Sequence, residues 1–251
     1  MTSINLNINT PVMLSAILKS SVLLLTAVFG MKTSIPPNRL TTKESPVATT
    51  LLEQIILLLQ RYLIPTMIIL PVIGELGSTI IGALALQRPQ YLEVFTTICP
   101  SAPPSQLSHL SIWLLTSSAL ENLGSIIRLW CFRTLGRFFT LELVIRPDHK
   151  IVQSGPYAIV RHPSYTGALV RMIGKVLLVF SPQSFPVACG LMRSFNLILG
   201  IVIIWSLYTL FTFVVPFRRI PHEEAILHKH FGKEWENYER RVPYKLVDGV
   251  F

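Results

Sequence analysis

Charge is what this chain has least of. Of its 251 residues, 14% are Asp, Glu, Lys or Arg and 51% are apolar, whereas a soluble domain carries nearer a quarter charged residues. With a mean hydropathy of +0.53, this excludes an ordinary soluble domain and predicts a polytopic membrane protein with little of its mass outside the bilayer. No G-x-G-x-x-G occurs, so a soluble Rossmann-type nucleotide fold is not supported. Cysteine is scarce: Cys99, Cys131 and Cys189 are odd in number and widely spaced. They read as buried or interfacial thiols, not as a disulfide framework or a metal site. Acidic residues are also few, 13 against 22 Lys and Arg. The net charge of +9 suits anionic headgroups and an anionic ligand. The basic residues are dispersed and flank apolar runs, which argues against a nucleic-acid partner.

The apolar runs predict an all-α architecture of about five spans. The first is Pro11 to Gly30, read as a retained span, followed by Lys32, Arg39 and Lys43. The second, Leu51 to about Leu86, is longer than one bilayer thickness, and Pro65 and Pro71 are expected to kink or divide it. Residues 88–105 read as a loop. The third span is about Leu107 to Trp130, with Glu121 and Arg128 on one helical face as an interior polar pair. The fourth, Ser164 to Phe180, carries Arg171 and Lys175, which should snorkel or face a polar cavity. The fifth is Val187 to Val215. Alternation then puts the basic segments 131–163 and 217–251 on one face, which the positive-inside rule makes cytoplasmic. Residues 1–106 form an N-terminal membrane region, and residues 107–251 carry the functional region.

Two polar segments stand out. Gly155-Pro-Tyr-Ala-Ile-Val-Arg-His-Pro-Ser-Tyr-Thr-Gly167 leads into the fourth span. Pro156 and Pro163 stiffen it, so Arg161, His162, Ser164 and Tyr165 should face something anionic at the membrane surface. Near the C-terminus a helix is expected to open at Pro221 and stop at Gly232, with a second over about Lys233 to Arg241. An apolar stripe, Ile220, Leu227, Phe231, Trp235, Tyr238 and Val242, reads as packing. Glu223 and Glu224 flank it, so at least one carboxylate should face inward. Together with Arg219 they form either a site or a surface capping pair. His109, His222, His228 and His230 show no ligand pattern, and no metal site is expected.

The block His149-Lys-Ile-Val-Gln-Ser-Gly-Pro-Tyr-Ala-Ile-Val-Arg-His-Pro-Ser-Tyr-Thr-Gly and the block Arg219 to Pro243, in that order, resemble the isoprenylcysteine carboxyl methyltransferases. The resemblance covers about residues 107–251. It implies an endoplasmic-reticulum, multi-pass enzyme with its active site facing the cytoplasm. In that family S-adenosylmethionine methylates the α-carboxylate of a prenylated C-terminal cysteine that enters from the bilayer lipid. By the same resemblance His149, Lys150, Ile151, Val152, Tyr157, Arg161, His162, Pro163, Ser164, Tyr165 and Glu223 should line the cofactor site. Arg219 should face the substrate carboxylate, Glu224 should take part in catalysis, and Glu142 approaches the cofactor. Arg171 and Lys175 are not expected from the family. Three rival readings share parts of this pattern: a phospholipid N-methyltransferase, which would need a base; an NADPH-dependent sterol reductase, suggested by Val242-Pro-Tyr-Lys-Leu-Val; and a non-catalytic homologue. Nothing in the residues fixes an oligomeric state.

Overall fold

The computed structural model describes residues 10–38, 51–140, 144–146, 148–191 and 196–249, with the side chains of 51–64, 67, 196 and 197 left aside. Glu142 lies outside the described residues. The helices are α1 (Thr10–Ser34), α2 (Leu51–Ala85), α3 (Gln90–Ile98), α4 (Pro104–Ser108), α5 (Ile112–Leu135), α6 (Pro163–Phe180), α7 (Phe185–Ala188), α8 (Asn196–Phe231) and α9 (Lys233–Arg241). No strand occurs among the described residues. Five segments are long and apolar enough to cross a membrane: Thr10–Ser34, Ile68–Ala85, Pro104–Phe138, Pro163–Ala188 and Ile198–Phe231. The expected all-α, five-span architecture is therefore present.

Several local expectations are corrected. Residues 88–105 are not simply a loop, because α3 and the start of α4 lie there. Phe95 and Leu107 anchor these short helices in an apolar cluster, so tertiary packing overrides the breaking effect of the prolines. No new helix opens at Pro221: α8 runs unbroken through Pro216 and Pro221. A helix-compatible φ lets proline sit inside a helix at the loss of one backbone bond, and the buried Val215, Pro216 and Ile220 hold this stretch in place. Of the two outcomes expected at Pro65 and Pro71, division does not occur: α2 is one continuous helix past both.

Two compact units share the chain. Unit 1 comprises Met1–Phe29, Met67–Glu121 and Ile173–Leu207; unit 2 comprises Gly30–Thr66, Asn122–Met172 and Tyr208–Phe251. Unit 1 holds the largest correction. Cys99 and Cys189, 90 residues apart, form a disulfide, and Cys131 alone is a buried free thiol. Sequence spacing carries no information on such a pairing. What brings the two cysteines together is the cluster of Ala85, Phe95, Leu107 and Leu191 packed around them. Unit 1 also buries a charge pair. Lys19 Nζ lies 3.0 Å from Glu75 Oε2 and donates to the Leu107 carbonyl at 2.8 Å. Glu75 Oε1 accepts from the Phe185 amide. An isolated charge in a bilayer is costly, and here each member is both paired and hydrogen-bonded.

In unit 2 the expectation that Arg171 snorkels is also corrected. It is 5% exposed, and its Nη2 donates to the Gly30 carbonyl at 3.0 Å and to Ser34 Oγ at 3.1 Å, in the last turn of α1. A cation at a helix C-terminus is favourably placed against the helix dipole.

α5 and α6 approach closely in this unit. A Cβ on Gly124 would stand 2.3 Å from the Gly167 carbonyl oxygen, and one on Gly167 would stand 2.7 Å from that of Gly124. Small residues permit such crossings in membranes, where packing drives helix association. The crossing fixes where α6 begins, and with it the residues at its N-terminus. Gly124→Ala is therefore expected to destabilise the protein by about 1–3 kcal/mol through overpacking. A thermal melt in detergent or lipid should show the midpoint falling, whereas the exposed Leu123→Ala should leave it nearly unchanged.

Candidate functional site

The site lies wholly within unit 2 and is built from three pieces: the loop ahead of α6, the C-terminal turns of α8, and the extended tail after α9. The tail begins at Val242, where Pro243 ends helical propagation. Its backbone pairs with the loop: the Arg161 amide donates to the Tyr244 carbonyl at 3.0 Å and the His162 amide to the Lys245 carbonyl at 2.8 Å. Thr166 Oγ1 extends the contact to the Leu246 carbonyl at 2.6 Å.

Glu224 is the centre of this arrangement. Its Oε1 accepts from Arg161 Nε at 2.8 Å and lies 3.2 Å from His162 Nε2; its Oε2 meets Lys245 Nζ at 2.8 Å. Arg161 is 5% exposed and spends its remaining donors on the carbonyls of Val242 (2.8 Å) and Pro243 (2.9 Å) and on Glu239 (3.2 Å). The expectation that Arg161 and His162 face an external anion is thereby corrected. Both are buried and turned onto an internal carboxylate, because an arginine taken out of water needs all its donors satisfied.

Glu223, one residue earlier, is placed differently. Its Oε2 accepts from the Tyr165 hydroxyl at 3.0 Å, and Oε1 has no partner among the described residues. Arg219 and Arg128 both lie within electrostatic reach of the same Tyr165 phenol. The neighbouring glutamates thus differ in kind: one carboxylate is saturated, and the other keeps an oxygen available.

The remaining residues form an aromatic border. His149 stacks on Phe138 with ring centroids 4.7 Å apart and meets Phe231 edge-on at 5.7 Å. Its buried Nδ1 has no hydrogen-bond partner among the described residues. Ile151 packs on the cluster of Trp235, Tyr238 and Val242, with Leu227 and Phe231 alongside, so the apolar stripe is packing as expected. Lys150 is exposed, Val152 partly so, and Pro163 buried at the start of α6. Tyr157 is buried, and its carbonyl accepts from the Tyr238 hydroxyl at 2.9 Å. Burial pushes the Tyr157 phenol well above its ordinary value of 10.0, with Cys131 and Glu223 adding to the effect, so it acts as a neutral donor. Gly155 has φ +58°, and a Cβ there would stand 3.0 Å from Thr134 Oγ1 and 3.2 Å from Trp130 Nε1, which sets the turn into the loop.

Three participants were not anticipated. Lys245 and the Tyr238 hydroxyl contact the loop across some 80 residues of sequence, and no local spacing signals that. Arg128 was read only as one of an interior pair on α5. Instead its Nη1 bonds the carbonyl and hydroxyl of Ser164 at 3.1 and 3.0 Å, and its Nε bonds the Thr33 carbonyl at 3.0 Å. Among the described residues no group of three or more His, Cys, Asp and Glu could hold a metal ion.

The fold and site define a polytopic helical membrane protein in which a polar cluster joins the loop ahead of α6 to the acidic pair of α8. The family resemblance is borne out: residues 118–202 match the Isoprenylcysteine carboxyl methyltransferase (ICMT) family. That span includes the loop but ends before Arg219, Glu223 and Glu224. The chain is 34% identical over 123 residues to Protein-S-isoprenylcysteine O-methyltransferase B of Arabidopsis thaliana, covering 48% of this chain and 52% of that protein. It is 31% identical over 121 residues to the A form of the same plant, covering 47% and 51%. It is 29% identical over 125 residues to the Saccharomyces cerevisiae Protein-S-isoprenylcysteine O-methyltransferase, covering 49% and 44%. The chain thus spans about half the length of the curated relatives it matches. No solved structure matches it.

The His149 imidazole carries a pH dependence. Burial first, then His230 and Arg146 nearby, hold its pKa below the ordinary 6.5. An unfolded imidazole takes up its proton near that ordinary value while the folded one resists, so below pH 6.5 the unfolded state binds more protons and stability falls. The loss levels off below the folded pKa. Melting points followed from about pH 7.5 to about pH 5.5 should therefore fall, and His149→Gln should show a smaller fall over that window.

Proposed function

We propose that this chain transfers a methyl group from S-adenosylmethionine to the C-terminal α-carboxylate of a prenylated cysteine. The observation that carries this reading is the convergence of the family-matched loop with the acidic pair. Tyr165 and Glu223, 58 residues apart, share a hydrogen bond, and Arg161 and Glu224, 63 residues apart, share an ion pair.

The donor set suits the cofactor. The open oxygen of Glu223 fits an ammonium group. The orphaned Nδ1 of His149, bordered by Phe138 and Phe231, fits a nitrogenous ring. When bound, S-adenosylmethionine supplies an electrophilic methyl: a C–O bond forms at the carboxylate, the S–C bond breaks with its electrons left on sulfur, and no proton moves. A C-terminal carboxylate has a pKa of roughly 3.3–3.7 and is already ionised, so the chain needs no general base. Its task is to hold and align the reactants. Arg219 is suited to a carboxylate, which a guanidinium grips through two parallel hydrogen bonds. Glu224 acts through the loop: it locks Arg161 and His162 so that Ser164 and Tyr165 are presented in one arrangement.

The span order supports an orientation. Cys99 and Cys189 follow the second and fourth spans, while the loop follows the third and the acidic pair lies towards the end of the fifth. Alternate segments face opposite sides, and disulfides persist in oxidising compartments. A lumenal disulfide therefore supports a cytoplasmic site in the endoplasmic-reticulum membrane, in agreement with the basic character of the site segments. The prenyl chain would enter from the surrounding lipid.

The test is purified protein in lipid with methyl-labelled S-adenosylmethionine and either N-acetyl-S-farnesylcysteine or phosphatidylethanolamine. Base-labile methyl ester should form from the farnesylcysteine alone and be lost in Arg219→Ala. Label in the phospholipid would move the protein to the N-methyltransferases. In the same preparation Glu223→Gln should weaken cofactor binding roughly 10–100-fold, the loss of one charge-assisted contact, with little change in melting point. Glu224→Gln should lower the melting point instead, since it leaves buried cations unpaired.

A further inference from the structure

The last turn of α1 receives two arginines from the helices that carry the site, although α1 lies outside the family-matched residues 118–202. From α6, Arg171 Nη2 donates to the Gly30 carbonyl at 3.0 Å and to Ser34 Oγ at 3.1 Å. From α5, Arg128 Nε donates to the Thr33 carbonyl at 3.0 Å. A helix ends in carbonyls that its own backbone leaves unpaired, and its dipole favours cations there. Arg171 is 5% exposed within a membrane-spanning segment, where an unmatched guanidinium is costly. Its stem crosses α5 at Gly124, where a Cβ would stand 2.6 Å from Arg171 Cγ. Ser34 Oγ also donates to the Gly30 carbonyl at 2.7 Å, so Arg171, Ser34 and Gly30 close one triangle. Thr33 Oγ1 and Ser125 Oγ, 3.3 Å apart, join α1 to α5 a second time.

This clamp leads to the site. The guanidinium that holds the Thr33 carbonyl also holds Ser164, whose carbonyl and hydroxyl accept from Arg128 Nη1 at 3.1 and 3.0 Å. Ser164 stands in the first turn of α6, about two turns before Arg171 and on the same side of the helix. Both ends of that stretch of α6 are thus tied to one turn of α1.

We infer that Arg171 is a positioning residue of the site. It clamps the last turn of α1 to α6; α1 then fixes Arg128 through Thr33, and Arg128 fixes the first turn of α6 with Ser164 and Tyr165. Arg171 touches no reactant. The consequence for cofactor binding rests on the methyl-transfer reading, whereas the ordering of the first turn of α6 does not.

The test uses the full chain in lipid nanodiscs, with Arg171→Met and Arg171→Lys beside the wild type. Hydrogen exchange is read at the Tyr165 and Thr166 amides, which donate to the His162 carbonyl at 3.0 and 3.3 Å. S-adenosylhomocysteine is titrated by calorimetry well below the melting point. In Arg171→Met both amides should exchange roughly tenfold faster or more, and the dissociation constant should rise roughly tenfold. The Arg161 and His162 amides, held by the tail, should stay within about twofold of the wild type. Arg171→Lys keeps a cation for the Gly30 carbonyl and should recover much of both losses. If Arg171→Met lowers the melting point yet leaves the Tyr165 and Thr166 amides and the dissociation constant unchanged, or speeds exchange uniformly across the chain, the inference is overturned and Arg171 is only a tether. Should Arg171→Met fail to fold, Ser34→Ala is read in the same way with effects of about threefold, since it removes one acceptor and no charge. A wild type that binds no S-adenosylhomocysteine would refute the methyl-transfer reading, and the exchange pattern alone would then decide this inference.

Discussion

The buried carboxylate of Glu224 is the interaction on which the site depends. A carboxylate and a guanidinium removed from water are each costly, and their attraction offsets that cost only when geometry and the remaining hydrogen bonds are complete. Here they are complete. Both Glu224 oxygens are occupied, and Arg161 spends its other donors on the Val242 and Pro243 carbonyls and on Glu239. The result is a knot that joins a loop, a helix and a tail far apart in sequence. Tyr165 and Ser164 follow Arg161 by a few residues, so fixing the knot fixes them.

The same rule governs the other charges of this hydrophobic chain. Lys19 is matched by Glu75, and Arg171 by the last turn of α1. Among the described residues, Arg128 has backbone and hydroxyl anchors but no counter-charge, and Glu223 has a tyrosine hydroxyl but no cation hydrogen-bonded to it. Read as chemistry, the saturated groups build the protein and the incompletely matched ones are suited to ligands. That division separates Glu223 from Glu224, which sequence pattern alone treats as an equivalent pair.

Much of the architecture was legible because hydrophobic runs, flanking cations and helix stops are local signals. The five spans, the stop at Gly232 (φ +51°) and the packing stripe through Trp235 and Tyr238 all follow from spacing. The long-range pairings were not legible. Cys99 with Cys189, Lys19 with Glu75, and Glu224 with Lys245 join residues that only the folded chain brings together. Proline also misled: Pro221 reads as the first position of a new helix, yet packing carries α8 through Pro216 and Pro221. In the loop, the charge of Arg161 suggested an outward anion site, whereas its partner was a carboxylate within the chain. The motif resemblance named Arg161, His162, Tyr165, Glu223 and Glu224, which the fold brings together, and the geometry distinguishes those that hold the cluster together from those suited to meet a ligand.

The central claim is that Glu224 holds the loop and the tail in register. Hydrogen exchange read at the Arg161 and His162 amides, which donate to the Tyr244 and Lys245 carbonyls, tests it most directly. In Glu224→Ala those two amides should exchange much faster than in the wild type while the amides of α6 keep their protection. Unchanged protection at Arg161 and His162 in the variant would contradict the account.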